Sequence, residues 1–197
     1  MKKVLITAII VFSTIISQAQ VSPQKSAHLL FKGVPIDGTL KEYVSMMEKN
    51  GFSIIETEDG AAKLKGDFAS FKSCIVGVAT QKQKDLVGII TVAFPACNTW
   101  SSLYSNYLSL KELLTEKYGK PSDIVEEFQI SPQPADDNAK MLQANFDKCK
   151  YYTTYETVKG TIHLSIEPIN RLGCFVMLKY CDKINGVSIR KTAINDL

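Results

Sequence analysis

LVGIITVAF, residues 86–94, is apolar on both of its alternating sides. Read as a strand, it places Leu86, Ile90, Val92 and Phe94 on one face and Val87, Ile89 and Ala93 on the other. A strand with one wet face alternates polar and apolar residues, so this one is expected to be covered on both sides. The last strand candidate repeats the pattern, with Cys174, Val176, Leu178 and Tyr180 against Phe175 and Met177. A helix can cover one face of each. The other face calls for the N-terminal segment, a curled sheet or a partner.

The residues before this stretch predict an antiparallel meander. Phe52 to Thr57, Ala61 to Phe68 and Phe71 to Thr80 read as strands, with a turn at Glu58-Asp59-Gly60 and a hairpin loop over Gln81 to Asp85. A helix precedes them. Thr39 followed by Glu42 forms a capping box, and Leu40, Tyr43, Val44 and Met47 make one apolar stripe that Asn50-Gly51 ends. Further upstream, His28 to Val34 reads as a short strand or extended segment, and Pro35-Ile36-Asp37-Gly38 as a turn.

The same order follows Pro95. Asn98 or Thr99 caps a longer helix with apolar positions from Trp100 to Tyr118, stopped by Gly119 and Pro121. Ser122 to Ile130 reads as a strand, Ser131 to Asn138 as a loop rich in Pro and Asp, and 139–145 as a helical turn. Phe146 to Val158 and Thr161 to Ile169 form a hairpin about Lys159-Gly160, Gly173 to Cys181 is the last strand, and a short helix closes the chain after Gly186. The expected fold is α+β: tandem helix-plus-four-strand pseudo-repeats over 36–97 and 98–197, mainly antiparallel, with helices on one face. Leu64-x-x-x-Phe68 recurs as Leu142-x-x-x-Phe146 and is the one sequence echo between the halves.

The first residues read as an export signal. Lys2 and Lys3 precede Val4 to Ile16, an uncharged run of 13 residues, and Ser17 and Ala19 place small residues for cleavage between Ala19 and Gln20. The run is shorter than the roughly 20 residues needed to cross a bilayer. The first cysteine is Cys74, so no lipid anchor is expected after cleavage. The remaining 178 of 197 residues then comprise an N-terminal extended segment (20–35) and the two halves, in the periplasm or the medium. Loss of Lys2 and Lys3 takes the formal charge from +3 to +1, which argues against a nucleic-acid binder.

Cys74, Cys97, Cys149, Cys174 and Cys181 are an odd set and contain no CxxC. Cys174 and Cys181 on one strand would lie ~23 Å apart on opposite faces, beyond the ~7 Å a disulfide spans. Buried free thiols and a disulfide framework both remain open for the others.

Chemistry-bearing motifs are sparse. There is no P-loop, G-x-G-x-x-G or G-x-S-x-G, and no cofactor is expected. His28 and His163 are the two histidines, neither with adjacent metal ligands, so no metal site is expected. Asp136-Asp137-Asn138 lacks calcium-loop spacing and reads as a solvated loop. The hairpin register sets Glu156 opposite His163. That pair is either an acid–base couple or a cross-strand surface contact worth a few tenths of a kcal/mol. Cys74 or Cys149 with His163 is a candidate dyad, set against simple burial of the thiols. Tyr152 falls on the same polar face as His163, whereas Tyr151 and Tyr155 point to the apolar one. Tyrosine is enriched at interface hot spots and also suits a pleated surface. Tyr152, Glu156 and His163 are therefore the candidate binding residues.

HLLFKGVPIDGTLKEYVSMMEKNGF (28–52) and GCFVMLKYCDKINGV (173–187) resemble small exported proteins of Gram-negative gut-type bacteria described only as hypothetical. In element order the chain is also similar to beta-lactamase inhibitory protein, which offers a concave antiparallel sheet to its target but has two helices before each sheet. The expected function is a non-enzymatic binding protein of inhibitor or immunity type, with a protein partner and no stable membrane insertion. A small Cys/His hydrolase and a structural subunit of an envelope complex are the alternatives.

Overall fold

A computed structural model describes residues 26–81, 85–170 and 173–186; the expected signal segment lies outside them. Two short strands come first, β1 (Leu30–Phe31) and β2 (Val34–Pro35). They pair antiparallel around Lys32 and Gly33, both of which adopt positive φ. The chain thus reverses inside the segment expected to be one extended run, because Lys32-Gly33 supplies the left-handed backbone that a tight turn needs.

Helix α1 (Leu40–Lys49) starts where the capping box predicts. The Glu42 amide donates to Thr39 Oγ1, and the Thr39 amide donates to Glu42 Oε2. Its buried stripe is Leu40, Tyr43, Val44 and Met47. Strands β3 (Ser53–Glu58), β4 (Ala61–Phe68), β5 (Phe71–Gln81) and β6 (Leu86–Ala93) follow as an antiparallel meander.

The second half opens with α2 (Trp100–Tyr118), capped by Thr99, and β7 (Asp123–Phe128). A further helix, α3 (Asp137–Asn145), then precedes β8 (Cys149–Thr157), β9 (Gly160–Pro168) and β10 (Cys174–Asp182). Here the expected loop is partly helix. Asp136 is the N-cap of α3, its carboxylate accepting from the Ala139 amide. Asp137 reaches across to the start of α2, where it accepts from the Trp100 and Ser101 amides. The acidic run is thus two caps side by side, which its local sequence did not separate from a solvated loop. Leu142 and Phe146 fall on and just after α3 and are about half exposed, whereas Leu64 and Phe68 belong to β4. The two L-x-x-x-F stretches therefore occupy different kinds of element.

All eight long strands join in one antiparallel sheet of order β3-β4-β5-β6-β10-β9-β8-β7. The two stretches apolar on both sides, β6 and β10, meet in its centre, with Val92 opposite Leu178 and Ile90 opposite Tyr180. A row of Leu64, Val76, Val92, Leu178, Leu164 and Thr153 crosses six strands and is 0–1% exposed throughout. Helices α1, α2 and α3 pack on this one face. Buried Thr153 keeps its place there through a 2.6 Å hydrogen bond to the Tyr107 hydroxyl.

The entry to β1 and the exit from β10 are tied together. Asp182 is fully buried and accepts from the amides of Leu29, Ile184 and Asn185, while His28 lies between Asp182 and Asp37. Residues 183–186 are helical, and the closing helix expected after Gly186 lies outside the described residues. Asn185 Nδ2 donates to the Asp37 carboxylate and to the Val87 carbonyl.

Candidate functional site

Opposite the helices, the sheet has a second face on which no described element packs as a layer. Parity along the strands assigns its residues. One row runs Ile75, Ala93, Met177, Ser165, Tyr152, Val125. The next runs Gly77, Thr91, Lys179, His163, Thr154, Asp123. A third runs Ala61, Ala79, Ile89, Cys181, Thr161, Glu156.

These rows divide the face into three zones. The β3–β4 edge is charged, with Lys63 paired to Glu56 at 2.9 Å and Glu58 nearby. The centre, on β5, β6 and β10, is apolar in two rows, where Ile75, Ile89, Ala93, Phe175 and Met177 are all half-buried, with Thr91 and exposed Lys179 in the row between them. The β9–β7 side is polar. Between the first two zones lies a depression of about 240 Å³ floored by Ala61, Gly77, Ala79, Ile89 and Thr91. It exists because three of those five positions carry a methyl group or no side chain.

Tyr152, Glu156 and His163 all lie in the polar zone, as their parity predicts. Glu156 is not opposite His163, however. The turn residues are Val158 and Lys159, so Thr157 faces Gly160, Glu156 faces Thr161 and Thr154 faces His163. Thr157 Oγ1 accepts from the amides of Lys159 and Gly160, which draws the turn one residue earlier than Lys159-Gly160. The shift of two in register keeps every side chain on its expected face but dissolves the Glu156–His163 couple. Glu156 instead accepts from the Thr161 hydroxyl at 3.1 Å.

His163 Nδ1 lies 2.9 Å from Thr154 Oγ1, and its ring leans on Tyr152 with centroids 5.2 Å apart. The Tyr152 hydroxyl donates to Asp123 Oδ2 at 3.0 Å. Burial, helped by Lys179, depresses the His163 pKa below its usual value, against the pull of Glu167 and Asp123. The cluster is thus a fixed patch of hydroxyls, one imidazole and carboxylates.

The proposed cysteine–histidine dyads do not assemble. Cys74 and Cys149 point to the helix-covered face, one parity step away from His163. Burial pushes the Cys149 thiol up to about 12 and raises that of Cys74, so neither is a ready thiolate. All five cysteines are free, and Cys174 and Cys181 lie on opposite faces of β10. Among the described residues, no group of three or more His, Cys, Asp or Glu is arranged to hold a metal ion. No described helix is long and apolar enough to cross a membrane.

Lys63, Gly77, Thr91, Thr154 and Asp123 contribute to this face but carry no motif. Strand alternation was the signal available for them, and it needed the order of strands to become a surface. Compared with protein-family models, curated proteins and solved structures, the chain matches none.

Proposed function

We propose that this chain is an exported, non-enzymatic binding protein that offers the open face of its sheet to a protein partner, as an inhibitor or immunity protein does. One observation carries the reading. Ile75, Ile89, Phe175 and Met177 sit at the centre of a sheet face over which no described helix lies. A free antiparallel face is ordinarily polar, and apolar side chains gathered on one beside charged groups, here around Lys179, mark interaction sites.

The rim agrees with that use. Lys63 with Glu56 stands on one side, and Tyr152 with Asp123 on the other. Each rim group is already held by a neighbour, so little side-chain freedom is lost on contact. Tyr152 supplies the amphipathic ring favoured at interfaces. Acyl-transfer chemistry through a thiol has no support, since Cys74 and Cys149 lie behind the sheet from His163. The export-signal pattern read at Lys2 to Ala19 supports a site of action in the periplasm or the medium.

The test is a pull-down from envelope extract with the mature chain, run beside two variants. Ile89→Lys and Met177→Lys each put a charge in the apolar centre. Leu113→Lys, at a half-exposed position on α2, is the control. The reading requires a partner retained by wild type and the control but lost from both face variants. Equal retention by all three overturns it.

A further inference from the structure

The helix-covered side carries a second concavity, at the seam where the N-terminal hairpin, the end of α2 and the β8–β9 turn converge. It measures about 520 Å³, within the roughly 300–1,000 Å³ usual for small-molecule sites. Leu29, Leu30, Phe68, Val158 and Tyr180 supply its apolar lining.

Three charged residues line it, and all are lysines: Lys32, Lys117 and Lys159. No carboxylate shares the lining. Each lysine comes from a different element: the β1–β2 turn, the last turn of α2, and the β8–β9 turn. The first two have fixed positions. Lys32 Nζ stands over the Phe52 ring and donates to the Asp67 carbonyl, and Lys117 Nζ stands over the Tyr118 ring.

The mouth is apolar and open to solvent. Val158, in the two-residue β8–β9 turn, is 86% exposed. Leu30 is 38% exposed beside it. Apolar walls lined by three lysines and no carboxylate match an amphiphile with one anionic end.

We propose that this groove binds a fatty-acid anion, its chain against Leu30, Phe68 and Val158 and its carboxylate among Lys32, Lys117 and Lys159. The site is separate from the open sheet face and does not depend on what that face binds.

Calorimetry of the mature chain with sodium decanoate tests it, beside 1-decanol, acetate and inorganic phosphate. Decanoate binds one to one, decanol binds about tenfold more weakly, and neither small anion binds measurably. Replacing all three lysines by glutamine weakens decanoate about tenfold and leaves decanol unchanged. Val158→Asp, at an exposed position that does not threaten folding, weakens decanoate as well, while Ile89→Lys on the open face leaves it untouched. Decanoate binding no tighter than decanol overturns the proposal. So does phosphate competing for the site, an unaltered affinity in the triple variant, or no heat up to about 1 mM.

Discussion

His28 Nδ1 stands 3.1 Å from Asp182 Oδ1, a contact that spans 154 positions of sequence. Asp182 is fully buried and also accepts from three backbone amides, those of Leu29, Ile184 and Asn185. One carboxylate therefore fastens the entry to β1 against the exit from β10. A buried charge with this many donors is stable only while they remain, and removing it orphans them together.

Asp182→Ala is accordingly expected to cost about 3–5 kcal/mol, the range for breaking a buried charged contact. His28→Ala removes one of four partners and costs about 1.5 kcal/mol. Urea unfolding of the mature chain gives both values. An Asp182→Ala loss no larger than that of a surface substitution would show that the ends are not clamped.

Tyr43 and Tyr107 are both 0% exposed, yet their hydroxyls differ. That of Tyr107 is bonded to Thr153, and that of Tyr43 has no partner among the described residues. Tyr43→Phe should be neutral or stabilising, because it deletes a desolvated hydroxyl that makes no bond. Tyr107→Phe should cost about 1–2 kcal/mol, because Thr153 is left buried and unpaired. The two variants share the same chemistry, so a similar loss in both would refute the distinction.

Burial depresses the His163 pKa, so the folded chain prefers the neutral ring more than the unfolded chain does. The unfolded state then binds more protons near the ordinary histidine pKa of about 6.5. The resulting contribution to stability is present above that pH and is lost as pH falls toward the lower folded value. Wild type should lose more stability between neutral and mildly acidic pH than His163→Gln does. Parallel slopes in the two proteins would exclude the effect.

The faces of the sheet and its hairpin neighbours were legible in the sequence, and the β8–β9 register and the β6–β10 pairing were not. Side-chain parity depends on the strand alone, so Tyr152, Glu156 and His163 were placed on one face even with the turn assigned one residue late. Register depends on the turn, where Thr157 captures two amides, and that detail was invisible from a run of strand-formers. The meeting of β6 with β10 was equally hidden. Two strands apolar on both sides announce burial, but nothing local says that each lies beside the other. The His28–Asp182 clamp escaped for the same reason: its members are single residues at opposite ends of the chain. Helix α3 was read short because Asp136 and Asp137 look like loop residues until the start of α2 is placed next to them.

Gly77 links the sheet's packing to the open face. A Cβ built on it would stand 2.5 Å from the Thr91 hydroxyl oxygen on the neighbouring strand. Gly77→Ala must therefore turn Thr91 out of its rotamer or push β5 from β6, at a cost of about 1–3 kcal/mol. Thr91→Ala removes the obstacle at small cost of its own. In the double variant the penalty should largely vanish, giving a coupling of about 1 kcal/mol or more by urea unfolding. Refolded Gly77→Ala/Thr91→Ala also has a reshaped depression, since its floor gains a methyl group at position 77 and loses the hydroxyl and methyl of Thr91. If the open face is the docking surface, this doubly substituted but stable chain binds its partner more weakly than wild type. Additive destabilisation would show that Thr91 is not what keeps position 77 free of a side chain.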